Sequence, residues 1–446
     1  MPYDCKSDEK TCDICESHEK LGQNSVNAKY MIKCIDISED VFNNDNYKGI
    51  YIIRPIKIGY YFIKNDSKLV DTINGLSKKC KQVEVIKLND TNFLNLANYE
   101  FNDNVSFSFS FMGNTVPNFK KYYHMPLYFE HLAEISKGSN KLGVLKMDVD
   151  NLGLILSEGL REVYGNNCSI SRISSLSSQL DMFFSGFVNN IASDFKVYSK
   201  VFDNEKFDEI KLNIQNDNKL ENVIHVFKPK EELNDNEKKK LEEYAIPTIH
   251  ITYSGGDDLL VLGPYDIIDF ASKLRNEFKQ WTACNPSIDL SAGISIVAPK
   301  FPIGKAVNFS ESYLERSKSC GKSKITLFNE VLPWDNNQFK SFDEIMNFSS
   351  DLEKLVIDEK VSKGFVYSLL FAWQNSFQYN SKVINDESKW VDENCHKKEF
   401  NGFIPKFVYK LRLIKDDNLR DCFMKEGKCF MPWIKIPVSW VSLRLR

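Results

Sequence analysis

Three observations assign the chain to the α+β class, around a ferredoxin-like sheet of the palm type. From about Lys141, apolar strand-like segments alternate with amphipathic helical ones in the order β-α-β-β-α-β-α-β. Within that series, Ser254-Gly255-Gly256-Asp257-Asp258 joins two β-branched segments, Ile249–Tyr253 and Leu259–Leu262, as a hairpin. A second acidic strand end, Leu142 to Asp150, opens the series. This order predicts an antiparallel sheet covered on one face by helices, with the first strand end beside the hairpin tip.

Taken along the chain, residues 1–35 form a Cys-rich, zinc-type element, and residues 36–138 read as a strand-rich adaptor region. Its expected strands are Gly49–Ile53, Ile58–Ile63, Val83–Ile86 and Val105–Phe109, separated by Asn- and Asp-rich turns. The palm occupies residues 139–332. Ile173, Leu176, Leu180, Phe183, Phe187 and Ile191 predict a helix over 169–195. A charged insertion follows at about 200–245, with too little apolar content for a core of its own. After the hairpin come a helix carrying Ile267, Phe270, Ala271, Leu274 and Phe278, a strand Ile288–Val297, a helix near 303–320, and a strand Lys324–Phe328. Residues 333–446 read as a helical domain, with apolar sets at Ile345, Phe348, Leu352, Leu355 and Val356 and at Phe365, Leu369 and Trp373.

Composition bounds the function. With 446 residues and 42% apolar content the chain holds two or three folded domains. Lys+Arg of 58 against Asp+Glu of 61 gives a net charge of −3, so any nucleic-acid contact is local or belongs to a partner. No apolar run reaches the roughly 20 residues of a membrane span, and Met1-Pro2-Tyr3-Asp4-Cys5 lacks a secretion signal, which predicts a cytoplasmic protein with no membrane partner. The 11 cysteines are mostly scattered, as at Cys80, Cys168, Cys284, Cys320 and Cys395, which fits reduced thiols.

The chemistry follows from the two acidic ends. Adjacent carboxylates are poorly tolerated without a cation, and hard oxygen donors suit Mg²⁺ or Mn²⁺. Asp148, the Val149 carbonyl, and Asp257 or Asp258 are the expected ligands of a two-ion site that brings a 3′-hydroxyl onto an α-phosphate. Gly255 and Gly256 leave room for a triphosphate. Against this stands a plain turn, since turns favour Gly and Asp. Lys318 and Lys322, at a helix end and the glycine loop after it, either neutralise phosphates or stabilise the helix C-terminus. Cys12 and Cys15 form a metal-type pair with Cys5, His18 and Cys34 available to complete a structural Zn²⁺ set, the alternative being free thiols.

These motifs together resemble the large polymerase-type subunit of type III CRISPR effector complexes, Csm type. The likeness runs through Cys-x-x-Cys followed by Leu21-Gly22, Phe111-Met112-Gly113-Asn114, KLGVLKMDVDNLG from Lys141, Ser174-Ser175-Leu176-Ser177, SGGDDLLVLGP, Leu290-Ser291-Ala292-Gly293-Ile294, GKSKITLF and Ile436-Pro437-Val438-Ser439-Trp440. The resemblance implies a palm that polymerises ATP into cyclic oligoadenylates when the complex holds target RNA. It implies Asp148, Asp257 and Asp258 as metal ligands, Ser254, Gly255 and Gly256 as loop-shaping residues, Lys318 and Lys322 as phosphate contacts, and Asp150 as a weaker candidate. Implied partners are the other Csm-type subunits, CRISPR RNA and target RNA. The family's HD nuclease and first palm are not recognised in this sequence, so the expectations are a fragment, one half of a split subunit with a first-palm partner chain, or self-association of two copies. The competing expectations are a catalytically silent scaffold binding neighbouring subunits and RNA, and a diguanylate-cyclase-like enzyme. The latter is disfavoured because Leu259 follows Asp258 where that family places an aromatic.

Overall fold

The computed structural model describes residues 21–26, 28–38, 51–53, 56–119, 123–159, 169–198, 245–335, 341–374, 377–378, 398–399 and 404–445. Cys5, Cys12, Cys15 and His18, and almost all of the charged insertion, lie outside the described residues. The chain divides into two compact units: Met1–Val116 with Gln179–Ser193 and Ser254–Gly256, and Pro117–Ser178 with Asp194–Tyr253 and Asp257–Arg446.

The first unit holds β1 (Tyr30–Ile37), β2 (Tyr51–Ile53), β3 (Ile58–Ile63), α1 (Leu69–Ser77), β4 (Cys80–Leu88) and β5 (Val105–Ser110). The strands form one sheet in the order β2-β3-β1-β4-β5, with β4 and β5 parallel. Tyr30–Ile37, which the strand reading did not single out, is the central strand. Its largely alternating burial puts Tyr30, Ile32, Cys34 and Ile37 into a core with Ile73 and Leu76 of α1 and Val83 and Val85 of β4. Cys34 therefore sits in the sheet core with its thiol hydrogen-bonded to Cys80, and is not free to complete a zinc set. Among the described cysteines, Cys34, Cys80, Cys284, Cys422 and Cys429 are free thiols, whereas Cys320 is disulfide-bonded, contrary to the expectation for that residue.

The palm strands are β6 (Leu142–Val149), β7 (His250–Gly255), β8 (Asp258–Pro264), β9 (Leu290–Val297), β10 (Lys324–Leu327) and β11 (Glu330–Pro333), in the order β7-β8-β6-β9-β10-β11. Helix α2 (Ile170–Asp181) continues through a π-helical turn at Met182–Phe187 to Asp194, matching the helix expected at 169–195. Helix α3 (Ile267–Trp281) precedes β9, and α4 (Ile303–Ser319) links β9 to β10. The first four strands have the expected ferredoxin-like arrangement.

Two features depart from expectation. The β9–β10 pair is parallel, and helices cover both faces of the sheet. A Cβ on Gly143 would lie 2.6 Å from Ile267 Cγ2 of α3, whereas one on Gly293 would lie 2.4 Å from Leu314 N and Ser310 O of α4. Gly143 pairs with Ile296, three residues from Gly293 on β9, and residues three apart in a strand face opposite ways. The parallel crossover through α4 is the cause, because it needs a helix lying against the sheet. Strand β6 is accordingly buried continuously from Leu142 to Leu145.

Hydroxyls pin α4 to its face. Ser310 Oγ donates to Val144 O at 2.9 Å, Ser317 Oγ to Ala292 O at 2.7 Å, and Ser295 Oγ to Ala306 O at 2.9 Å. All three serines are buried, so each hydroxyl needs the partner it has. Beyond the sheet, α5 (Phe342–Ile357), α6 (Lys363–Gln374), α7 (Ile404–Leu411) and α8 (Lys435–Arg444) pack around Leu352, Phe365, Leu369, Phe407 and Val438. Buried Glu353 of α5 binds Arg444, Trp440 Nε1 and Lys137, tying α8 to the loop before β6. Among the described residues no helix is long and apolar enough to cross a membrane.

Candidate active site

Sheet register assembles the acidic group. Strand β8 pairs antiparallel with β6 so that Asp258 stands opposite Asp148, and β9 places Ser291 on the other side of Asp148. Asp257 precedes β8, its carbonyl accepts the Val149 amide at 3.3 Å, and its carboxyl is hydrogen-bonded to that of Asp148. The two acidic ends thus converge, as the element order requires. Burial, then the charge of Asp148, pushes the Asp257 carboxyl above the ordinary carboxylate range. Asp258 is raised too, first by burial; the charges of Asp148, Glu311 and Asp257 add to this, and Lys146 opposes it.

Lysines from α4 and β6 face the acidic group. Lys318 Nζ donates to Asp148 Oδ2, and Glu315 lies 3.7 Å from the same ammonium. Lys146 projects from β6 two residues before Asp148, on the same face; it is ion-paired with Glu311 of α4 and lies 3.7 Å from Asp258 Oδ2. Burial works against charge on both lysines, but their carboxylate partners outweigh it and both are raised. Lys322, at φ +62°, donates to Asn151 Oδ1 in the turn after β6 rather than to a carboxylate of the acidic group.

Asp150 is not part of that group. Its buried carboxylate accepts Ser291 Oγ at 2.8 and 2.9 Å and the Ser323 amide at 2.7 Å, so it anchors the loop carrying Lys322. Burial, the leading cause, raises it, with Asp289 adding to the rise. Asp289 in turn forms a two-point pair with Arg275 at 3.0 and 2.7 Å, and Arg275 reaches Asp335 at 2.6 Å. Sequence reasoning missed Lys146, Glu311 and this brace. Two signals were available: Lys146 shares the period-two face of Asp148, and Glu311 lies seven residues, two helical turns, before Lys318.

Ser254, Gly255 and Gly256 belong to the first unit. There Ser254 Oγ donates to Phe184 O, and a Cβ on Gly255 would meet Ser185 Oγ at 4.0 Å. Gly256, at φ +70° with nothing within 4 Å of an added Cβ, supplies the backbone conformation that a two-residue hairpin turn needs.

The donor set fits a hard divalent cation: clustered carboxylates, two of them raised by burial and mutual repulsion, and a buried Asp258 Oδ1 with no hydrogen-bond partner. Among the described residues, however, no three His, Cys, Asp or Glu side chains are gathered as a ready-made metal cage. Lys318 holds Asp148 in that arrangement, and Lys146 stands beside Asp258.

Residues 141–326 match the family model described as Cas10/Cmr2, second palm domain. A CRISPR system single-strand-specific deoxyribonuclease Cas10/Csm1 (subtype III-A) from Methanocaldococcus jannaschii is 35% identical over 225 residues, covering 47% of this chain and 23% of the relative. The solved Csm1–Csm4 cassette in complex with one ATP superposes with a TM-score of 0.57 at 18% identity, covering 97% of this chain and 50% of that one. The same cassette in complex with cA4 gives 0.52 at 18% identity, covering 93% and 48%. This chain spans about half the length of those solved chains, and its match spans about a quarter of the curated relative. Over residues 141–326 the chain is thus similar to the Cas10/Cmr2 second palm domain, and over 225 residues to a Cas10/Csm1 protein.

Proposed function

We propose that the chain is a Mg²⁺- or Mn²⁺-dependent nucleotidyltransferase that joins ATP through 3′–5′ links into cyclic oligoadenylate, as part of a type III CRISPR RNA-guided complex. The observation that carries this reading is the β6–β8 register, which sets Asp148 opposite Asp258 with Asp257 hydrogen-bonded beside them. Solved relatives described with ATP and with cA4 support the choice of substrate and product. Neighbouring Csm-type subunits, CRISPR RNA and target RNA are the proposed partners, with a first palm, in the same or another chain, or a second copy facing the site.

In this reading Asp148, Asp257, Asp258 and the Val149 carbonyl hold the cations. Bound there, a divalent ion supplies Lewis acidity toward the 3′-hydroxyl and neutralises charge on the leaving group. The protein's own part is electrostatic and positional. Lys318, ion-paired with Asp148 in this structure, would be placed to meet a phosphate as a point charge if that carboxylate held a cation. Lys322 is held over the Asn151 turn for the same use, with Asp150 anchoring its loop. Gly255 and Gly256 leave the hairpin tip without side chains, so its backbone can approach a triphosphate.

The test is labelled ATP with the assembled complex and target RNA. Oligoadenylate is expected from the wild type and absent from Asp257→Ala/Asp258→Ala; product persisting in that variant refutes the reading. The scaffold reading draws on the lysines that stand at Asp148 and Asp258. It predicts full assembly with no ATP turnover in the same reconstitution.

A further inference from the structure

The ion pair between Lys146 and Glu311 lies outside the proposed ligand set, yet it touches one member of it. Lys146 comes from β6, opposite Leu260 of β8, so its ammonium stands at the strand position two residues from Asp258. Glu311 reaches the same ammonium from α4, whose path is fixed by the close approach at Gly293 and by Ser310 and Ser317. Three elements therefore determine where the Lys146 charge sits.

The geometry at Asp258 is asymmetric. Oδ2 is 3.7 Å from Lys146 Nζ, beyond hydrogen-bond length, and Oδ1 is buried with no partner. Glu311 claims the ammonium directly, so Lys146 biases the Asp258 carboxylate without consuming either oxygen.

We infer that Glu311 is a positioning residue for Asp258 that acts through Lys146: it holds the ammonium back from the carboxylate, so that Oδ1 stays free for a divalent cation. The inference rests on the metal reading above. Without Glu311 the ammonium closes onto Asp258 and competes with the cation. Without Lys146 that competitor is gone, and Glu311 has nothing to act through.

The experiment is a titration of the full chain with Mn²⁺ alone, free ion being read by electron paramagnetic resonance. Glu311→Gln is expected to weaken binding about tenfold, the scale of one unit charge brought against a partly exposed carboxylate. Lys146→Met is expected to tighten it, and Lys146→Arg, which keeps the charge and its reach, to stay near wild type. The deciding variant is Lys146→Met/Glu311→Gln. If Glu311 acts through Lys146, the double variant binds as Lys146→Met does. If Glu311 acts only as a nearby negative charge, Glu311→Gln weakens binding equally in both backgrounds, and the positioning role is overturned. Should wild type bind no more Mn²⁺ than Asp148→Asn/Asp257→Asn/Asp258→Asn, the metal reading itself fails and takes this inference with it. Circular dichroism of each variant separates loss of binding from loss of fold; Glu311 is 42% and Lys146 19% exposed, so neither fills the core.

Discussion

Replacing Gly293 by alanine tests the packing that delivers α4, and with it Lys318 and Glu311, to the acidic strand ends. On intrinsic grounds the change should help, because alanine loses less freedom on folding than glycine and gains about 0.4–1 kcal/mol where the backbone tolerates it. The structure reverses that sign. The new Cβ would lie 2.4 Å from Leu314 N, 2.4 Å from Ser310 O and 2.8 Å from Tyr313 C, all backbone atoms of α4. No side chain can rotate away, and Ser310 and Ser317 tie the helix to β6 and β9. Overpacking of this kind costs about 1–3 kcal/mol, so Gly293→Ala is expected to lower stability by about 2 kcal/mol net. Urea denaturation followed by tryptophan fluorescence reads this as a lower midpoint at unchanged slope. Gly304, in the first turn of the same helix with nothing within 4 Å of an added Cβ, is the control, and Gly304→Ala should raise the midpoint. A Gly293→Ala protein as stable as wild type would show that α4 does not approach β9 so closely, and the placement of Lys318 and Glu311 would fall with it.

Removing Arg275 leaves the half-buried Asp289 beside Asp150 and Ser323 without its two-point partner, so Arg275→Leu should cost about 3 kcal/mol, the low end for breaking a buried pair, by the same denaturation assay. Asp258→Asn should stabilise the fold at neutral pH, because a carboxyl raised above its ordinary 3.8 favours the protonated form when folded. That gain should shrink as pH falls through the raised value and vanish below the ordinary one; thermal melts at pH 7.5 and pH 3 that show the opposite trend would contradict the crowding of charge at the tip. Lys318→Met should lower oligoadenylate synthesis by the assembled complex about 100-fold, the scale of one lost charge contact to a reacting phosphate, with assembly intact.

Periodicity alone placed the palm elements within a few residues: the helix expected at 169–195 runs from Ile170 to Asp194, and the one near 303–320 from Ile303 to Ser319. Convergence of Asp148 with Asp257 and Asp258 was readable as well, since a strand, a helix and a hairpin in that order bring a first strand against the hairpin's second. Strand β1 was not assigned although Tyr30, Ile32 and Cys34 carry the period-two signal of a half-buried strand, because most of Tyr30–Ile37 falls within the Cys-rich element at residues 1–35. Cys34 shows the general difficulty: as a residue type it is a ligand, and only its place in the core between β1 and β4 makes it a packing residue.

What the sequence determined by itself was the local chemistry, meaning which strands carry carboxylates at their ends and which turn must be glycine, because both depend on near neighbours in the chain. Tertiary structure decided which charges those carboxylates meet. Lys318 and Asp148 are 170 residues apart, Lys146 and Glu311 165, and each pair exists only because a parallel crossover lays α4 across the face that carries Asp148 and Asp258. Electrostatic partners follow distance in space, and for pairs so remote in sequence that distance is set by packing alone.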